Sequence, residues 1–170
     1  MTVVVSNTSP LTNLAAIDRF ELLRLLFGEI HIADGVWGEL NAGGRPYPGS
    51  REVAAADWVH RHEIGDRALV RALRRDLDLG EAETLALGVE LGAELVLIDE
   101  REGRHAAWSL GIKPLGVLGV LTLAKERGHL REIRSSLNAL KRRAGFYLSA
   151  RLFRNVLEAA GEEPPAGEPS

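Results

Sequence analysis

The sequence predicts an α/β protein in which a parallel sheet of four to five strands carries helices on both faces. Short runs that are almost wholly apolar, such as 3–5 and 95–98, have the composition of buried parallel strands. Segments with apolar residues at helical spacing lie between these runs. A chain that alternates strand and helix must cross back over a face of the sheet, so we expect a doubly wound single domain.

The first strand, 3–5, is expected to run into a helix capped by Ser9 with Pro10 at its first position. A Gly- and Pro-rich stretch, 41–49, is expected to be a loop. The other elements expected in this half are a short helix over 20–26, a strand over 30–32, helices over 36–40 and 51–56, a strand over 58–64 and a helix over 66–75.

The C-terminal half has the clearest pattern. A helix over 80–91 is ended by Gly92, and the apolar strand 95–98 is followed at once by Asp99. Later elements are expected at 102–110, 112–115 (a strand), 117–127, 130–142 and 149–159. The domain is therefore expected to span 1–160, with a disordered tail over 161–170 that consists mainly of Gly, Pro and Glu.

Composition excludes several classes of protein. The chain has 170 residues with 45% hydrophobic residues and a net charge of −3, which suits one soluble domain. It has no cysteine, which excludes thiol catalysis and cysteine-based metal sites. No apolar run approaches the roughly 20 residues of a membrane span, and the start lacks the pattern of a signal peptide. We expect a cytoplasmic protein that does not contact a membrane.

Basic residues are concentrated near the C-terminus. Between positions 131 and 154 there are seven Lys or Arg residues and one acid, Glu132. Such a cluster fits a nucleic acid or an acidic protein partner. A solvated helical face explains it equally well.

Four polar residues are expected to meet at one edge of the sheet. Asn7 and Asp99 each follow an apolar strand, Glu39 lies in the helix after the second strand, and Glu81 opens the helix before the strand that ends at Asp99. Ligands of such sheets bind beyond the carboxyl ends of the strands. Each residue also has a structural explanation, as a helix cap, a first-turn carboxylate or a surface residue.

Carboxylates that converge in a partly dry cleft repel one another unless a cation enters. Oxygen donors without cysteine suit Mg²⁺ or Mn²⁺. Such an ion can activate water for attack on a phosphodiester and stabilise the charge that develops on the phosphoryl oxygens.

Four segments together resemble the acidic motifs of the PIN-domain superfamily, in particular a prokaryotic branch related to VapC-type toxins. The segments are VVVSNTSPL, VWGEL, LGEAE and LVLIDER, which begin at Val3, Val36, Leu79 and Leu95. The order and spacing agree over about 2–115, and the later helices are similar as well. The resemblance implies a Mg²⁺- or Mn²⁺-dependent ribonuclease with a Rossmann-like (PIN-like) fold, often a homodimer and often a toxin neutralised by an antitoxin protein.

By position, the resemblance makes Glu39, Glu81 and Asp99 the catalytic metal ligands and places Thr8 and Ser9 beside substrate. Asn7 stands where the superfamily has aspartate, so it is expected to orient the ion or its water. The three matched carboxylates then supply −3 against the +4 of two divalent ions, which favours one ion. Glu83 faces about 200° around the helix from Glu81, so we expect only Glu81 in the cleft.

Arg101 stands where many members have a further acid, for which Glu100 or Glu102 would substitute. Arg101 and Arg104 are expected to bind the phosphate backbone of RNA, although pairing with the neighbouring Glu100 and Glu102 is an alternative.

Two other functions remain open at this point. Asn7 would also fit a catalytically weakened PIN-like module that binds RNA or an acidic protein, and a small-molecule phosphohydrolase would need a tight pocket. His60 and His62 alternate on a predicted strand, but no third ligand is expected near them, and His31 is expected to be isolated. Trp37 and Trp108 are expected in the core because their helical neighbours are apolar.

Overall fold

The computed structural model describes residues 2–42 and 47–163. Within these ranges five short strands form one parallel sheet in the order β3-β2-β1-β4-β5. The strands are β1 (Val4–Ser6), β2 (Ile30–Ala33), β3 (Val59–His62), β4 (Leu95–Leu97) and β5 (Lys113–Leu115). The α/β class and the single parallel sheet predicted from the sequence are confirmed.

Helices connect the strands and cover both faces of the sheet. They are α1 (Thr8–Ala16), α2 (Leu22–Phe27), α3 (Asp34–Leu40), α4 (Ser50–Ala55), α5 (Arg67–Leu73), α6 (Leu79–Leu91), α7 (Arg101–Ser109), α8 (Val117–Glu126), α9 (Arg134–Arg143) and α10 (Ala150–Ala159). Part of the predicted loop 41–49, namely 43–46, lies outside the described residues.

The strand order places the point of reversal between β1 and β4. The chain moves outward from β1 to β2 and β3 and then returns to the other side of β1 for β4 and β5. Loops that leave β1 and β4 at this point open a crevice beyond the carboxyl ends of the strands, where ligands of open α/β sheets bind. Asn7 and Asp99 stand at this crevice.

Two apolar clusters hold the layers together. On one face, side chains of β2 and β4 pack with α1, α2, α8, α9 and α10. On the other face, Val5, Val96 and Ile98 pack with α5, α6 and α7. Helix α6 is buried continuously from Gly80 to Gly88, because it lies against both the sheet and its neighbouring helices. The acidic residues of its first turns are therefore held inside the protein.

Helix α1 begins two residues earlier than the sequence predicts. Asn7, not Ser9, is the N-cap, and Pro10 is the third helical residue. The backbone N–H of Asn7 donates to the carbonyl of Leu97 at 2.9 Å, which extends the β1–β4 pairing to the residue before Thr8. The strand therefore passes into the helix without an intervening turn.

The C-terminal helices are tied together by Glu162, which the sequence places in the tail. Its carboxylate accepts from the backbone N–H groups of Ile133 (2.8 Å) and Arg134 (3.3 Å) and pairs with Lys125 at 2.9 Å. Helix α9 starts at Arg134, four residues after the predicted start, where this carboxylate meets its free N–H groups. Residues 164–170 of the predicted tail lie outside the described residues.

Of the two tryptophans expected in the core, Trp37 packs against it and Trp108 does not. Trp108 is 61% exposed, so that expectation is wrong. It lies near the end of α7, whose packing face is formed by the small residues Gly103 and Ala107. In the described part of the chain, no helix has the length and apolar character needed to cross a bilayer.

Candidate active site

One amide and four carboxylates, contributed by four elements, surround the crevice at the end of β1. Asn7 follows β1, Asp99 and Glu100 follow β4, Glu39 lies on α3, and Glu81 lies in the first turn of α6. The structure therefore brings together the four residues that the sequence placed at one sheet edge and adds Glu100 to them.

Asn7 is the most buried polar group of this cluster, with 4% of its surface exposed. Its side-chain Nδ2 donates to Glu100 Oε2 at 3.3 Å, and the Ser9 hydroxyl donates to the other oxygen of Glu100 at 2.5 Å. Although Asn7 is the N-cap of α1, its side chain makes no capping hydrogen bond. A cap role therefore does not explain this side chain.

Glu39 reaches the cluster from the last turn of α3. The Thr8 hydroxyl donates to its Oε2 at 2.6 Å. The Glu39 carboxylate also lies so close to α6 that a Cβ at Gly80 would overlap it. Gly80 is thus needed for the close approach of α3 and α6 at this point.

Glu81 is fixed by a capping box at the start of α6. Its Oε2 accepts from the backbone N–H of Asp78 at 3.0 Å, and its own N–H donates to Asp78 Oδ1 at 2.8 Å. Glu83 faces another direction, where it accepts from Gly35 N–H at 2.7 Å and from Arg67 at 2.8 Å. Glu81 has the crevice carboxylates Glu39 and Glu100 as electrostatic neighbours.

Asp99 lies between the ends of β4 and β5. Its Oδ1 accepts from the backbone N–H of Val117, the first residue of α8, at 3.0 Å. Gly116 permits this approach, because a Cβ there would lie 2.5 Å from Asp99 Oδ1 and 2.9 Å from Arg104 Nη1. Arg104 is therefore beside Asp99.

The proton affinity of three of these carboxylates is raised. The pKa of Asp99 is raised to about 6, because burial and, to a smaller extent, the nearby Glu100 raise it more than the Val117 N–H and Arg104 lower it. Burial also raises the pKa of Glu39 and of Glu81, and in both cases Asp78 and Glu100 add repulsion. The crevice therefore concentrates negative charge that the protein compensates only in part.

The donor set fits a hard divalent cation. Two buried side-chain oxygens of the crevice, Asn7 Oδ1 and Asp99 Oδ2, have no hydrogen-bond partner. Buried oxygens without a donor are costly, and a cation would satisfy them. In the residues that the structure describes, no three His, Cys, Asp or Glu side chains are arranged as they stand to hold an ion. Hydroxyl, amide and backbone donors occupy the carboxylates, so an ion would displace some of these donors.

The four residues expected to bind substrate do not share one environment; they are Thr8, Ser9, Arg101 and Arg104. The hydroxyls of Thr8 and Ser9 donate to carboxylates, so they position Glu39 and Glu100. Arg104 is exposed beside Asp99 and available to a phosphate. Arg101 instead lines a groove between α5 and α7, together with Glu102.

Glu100 is the residue whose place the sequence left undecided. From the sequence, Glu100 and Glu102 were equivalent candidates to replace a missing acid. Their positions relative to helix α7 distinguish them. Glu100 is the extended N-cap residue of α7, whereas Glu102 lies inside the helix on its exposed side. Asp78 was overlooked, although the spacing of Asp78 and Glu81 is that of a capping box.

A family model described as a PIN domain matches residues 3–162. The chain belongs to the PIN-domain family. The comparison with curated proteins finds no match. PIN domains are generally nucleases and typically depend on divalent metal ions, so the fold of this PIN domain is of a nuclease type. The crevice between β1 and β4, with its carboxylates and unpaired oxygens, is the candidate active site of this PIN domain.

Proposed function

We propose that this PIN domain is a Mg²⁺- or Mn²⁺-dependent ribonuclease that hydrolyses RNA phosphodiester bonds. The observation that carries the proposal is the pair of buried, unpartnered oxygens of Asn7 and Asp99 within a cluster of carboxylates. Glu39, Glu81, Asp99 and Glu100 would hold the ion together with Asn7. When bound, the ion supplies an activated water and stabilises charge on the phosphoryl group.

Glu100 changes the charge balance expected from the sequence. The carboxylates matched to the family supply −3, and Glu100, which hydrogen-bonds to Asn7, brings a fourth negative charge to the crevice. A site of −4 matches the +4 of two divalent ions, so the asparagine at position 7 does not by itself limit the site to one ion. We therefore propose Glu100 as a metal ligand that compensates for the missing aspartate.

The residues around the carboxylates have separate roles in this proposal. Thr8 and Ser9 orient Glu39 and Glu100 through their hydroxyls. Arg104, beside Asp99, binds the phosphate that enters the crevice. The Val117 N–H holds one oxygen of Asp99, which leaves the other without a hydrogen-bond partner, so it would be available to an ion.

The second candidate function is a binding module for RNA or an acidic protein partner. Asn7 favours it, since an amide in place of a carboxylate lowers the attraction for a cation. RNA is the ligand of the nuclease and one of the two possible ligands of the module, so RNA binding alone does not separate the two functions.

The deciding experiment is incubation of the full chain with labelled single-stranded RNA and Mn²⁺. We expect cleavage by the native chain and a loss of about 100-fold or more in Asp99→Asn and Glu100→Gln, as for removal of a group that stabilises the transition state. Glu102→Gln, next in sequence but outside the crevice, is the matched control and should retain activity. RNA binding without cleavage in every form would establish the binding module and refute the nuclease.

The resemblance to VapC-type proteins supports a more specific proposal, that the protein is the toxin of a toxin–antitoxin pair and acts as a homodimer in the cytoplasm. Induced expression should then arrest growth, and the Asp99→Asn variant should not. Co-expression of an antitoxin encoded by a neighbouring gene should relieve the arrest and give a complex that copurifies. Growth unaffected by an RNA-cleaving chain would refute the toxin role but not the nuclease activity.

A further inference from the structure

Three of the five histidines of the chain lie together on the two outer strands at one edge of the sheet. The parallel register pairs His31 of β2 with His60 of β3, and His62 lies two residues further along β3. Paired residues of adjacent strands, and residues two apart on one strand, point to the same face. The expectation that His31 is isolated is therefore wrong, because strand pairing brings it to His60 and His62.

The rings are in contact. The ring centres of His31 and His60 are 5.3 Å apart, and those of His31 and His62 are 5.0 Å apart. The Nδ1 atom of His31 lies 2.8 Å from Nε2 of His62. Two imidazole nitrogens bound to one ion at about 2.0–2.1 Å lie roughly 2.9–3.4 Å apart. The pair therefore already has nearly the spacing that a shared ion requires.

The surroundings favour a cation and neutral rings. Burial lowers the pKa of His31 and of His62, and repulsion from the neighbouring histidines lowers each further. The other charged groups that act on these two rings are the carboxylates of Glu29, Asp34 and Glu90. His60 Nε2 also lies 3.5 Å from Glu29. His31 and His62 are thus neutral at neutral pH and lie near carboxylates, and an ion that binds both would replace the hydrogen bond between His31 Nδ1 and His62 Nε2.

We propose that His31, His60 and His62 form a second metal site, for a borderline transition-metal ion such as Zn²⁺ and separate from the carboxylate crevice. Imidazole nitrogen suits Zn²⁺, Ni²⁺ and Cu²⁺, whereas Mg²⁺ and Mn²⁺ prefer oxygen. His31 and His62 are placed as a ligand pair. His60 must turn toward them, since no three of the described side chains converge as they stand.

The ion would join the edge strand β3 to β2. All three rings are half-buried, so water can complete the coordination. Glu29 is placed to accept from a ring N–H of His60 and so to orient it, as carboxylates commonly do for histidine ligands. The site therefore acts as a cross-link between two strands, and it does not depend on the proposed ribonuclease activity.

The test is Zn²⁺ binding to the full chain, prepared without a polyhistidine tag and carrying Asp99→Asn and Glu39→Gln to weaken the crevice. Calorimetry should show one equivalent of Zn²⁺. His31→Ala and His62→Ala should each lower the affinity for Zn²⁺ by about 100-fold, because each removes a ligand and not only a residue that hydrogen-bonds to a ligand. His105→Ala and His129→Ala, which alter the two histidines outside the cluster, are the matched controls and should bind normally.

A Co²⁺ titration gives a second readout that folding defects do not imitate. The native cluster should produce visible absorption typical of nitrogen ligands, and circular dichroism checks that each variant is folded. His62→Gln keeps a polar side chain of similar size and should still lose the signal. The proposal would be overturned if the chain with all five histidines bound no equivalent of Zn²⁺, or if His31→Ala and His105→Ala bound Zn²⁺ equally well.

Discussion

Asn7 shows how one side chain can be neutral and still shape a charged site. Its Nδ2 donates to Glu100, while its Oδ1 is buried with no donor. The amide thus stabilises a carboxylate in the metal-free protein and leaves an oxygen for an ion. Aspartate at this position offers more charge to the ion but no donor to Glu100.

We predict opposite effects of Asn7→Asp on the metal-free and metal-bound states. Without metal, two buried carboxylates would face each other, and the free energy of unfolding should fall by about 1–3 kcal/mol. With Mn²⁺, the added charge should raise affinity about tenfold and increase RNA cleavage. Thermal unfolding in chelator and calorimetry with Mn²⁺ measure the two effects.

The double variant Asn7→Asp/Glu100→Gln restores an amide donor between the two positions. It should recover most of the lost stability in chelator. Equal metal affinity and activity in the native chain and Asn7→Asp would remove position 7 from the site.

Asp99 makes the metal-free protein sensitive to pH. Its pKa is about 6 in the fold against an ordinary value of 3.8, so the folded state binds the proton more tightly than the unfolded chain. The stability from this group is fully present below pH 3.8 and is lost as the pH rises through about 6. The difference corresponds to about 2–3 kcal/mol.

We therefore predict that Asp99→Asn stabilises the metal-free protein at pH 8 by about 2–3 kcal/mol and has little effect near pH 4. Urea unfolding in the presence of a chelator, at pH 8 and at pH 4, measures this difference in stability. Asp57→Asn, at an exposed position, is the control and should show no such dependence. A variant no more stable than the native chain at pH 8 would contradict the raised pKa of Asp99.

At the scale of elements, the crevice depends on how closely α3 and α6 approach. Gly80 is helical, and alanine is the better helix former by about 1 kcal/mol. A Cβ at this position overlaps the Glu39 carboxylate, which is the mobile end of a flexible side chain. Helix propensity therefore favours alanine at position 80, whereas the position of the Glu39 carboxylate requires glycine.

We predict that Gly80→Ala leaves the free energy of unfolding within about 1 kcal/mol of the native value, because helix propensity offsets the displacement of Glu39. Affinity for Mn²⁺ should fall about tenfold, since a ligand is displaced. Gly38→Ala in α3, where a Cβ meets no atom within 4 Å, is the control and should leave Mn²⁺ binding unchanged. Equal affinity in both variants would show that Glu39 does not bind the ion.

At the scale of the whole molecule, the acidic crevice continues into a cleft with a basic end. Thr8, Ser9 and Glu39 line one part of the cleft, and Tyr47 and Arg143 line the other. Arg143 is the last residue of α9, whose last turn is basic, and Tyr47 is 53% exposed. In the proposed ribonuclease, an RNA strand in the crevice would then have a phosphate near Arg143 and a base against Tyr47.

We predict that Arg143→Ala weakens binding of single-stranded RNA and lowers the slope of log affinity against log salt by about 0.7, as expected for one lost phosphate contact. Arg143 also pairs with Asp18 at 2.5 Å, but both side chains are exposed, so the loss of stability should be at most about 1 kcal/mol. Fluorescence anisotropy over a salt series measures the slope. Arg131→Ala, at an exposed position on the same basic stretch, is the control, and an equal slope in both variants would place the RNA elsewhere.

The sequence by itself determined the sheet, the order of its elements and the edge at which Asn7, Glu39, Glu81 and Asp99 meet. These follow from periodicity and from strand ends, which are local properties of the chain. Only the tertiary structure separated Glu100 from Glu102 and joined His31 to His60 and His62. Those outcomes depend on side-chain direction at a helix start and on the register between strands, which neighbouring elements set through packing and which no local pattern encodes.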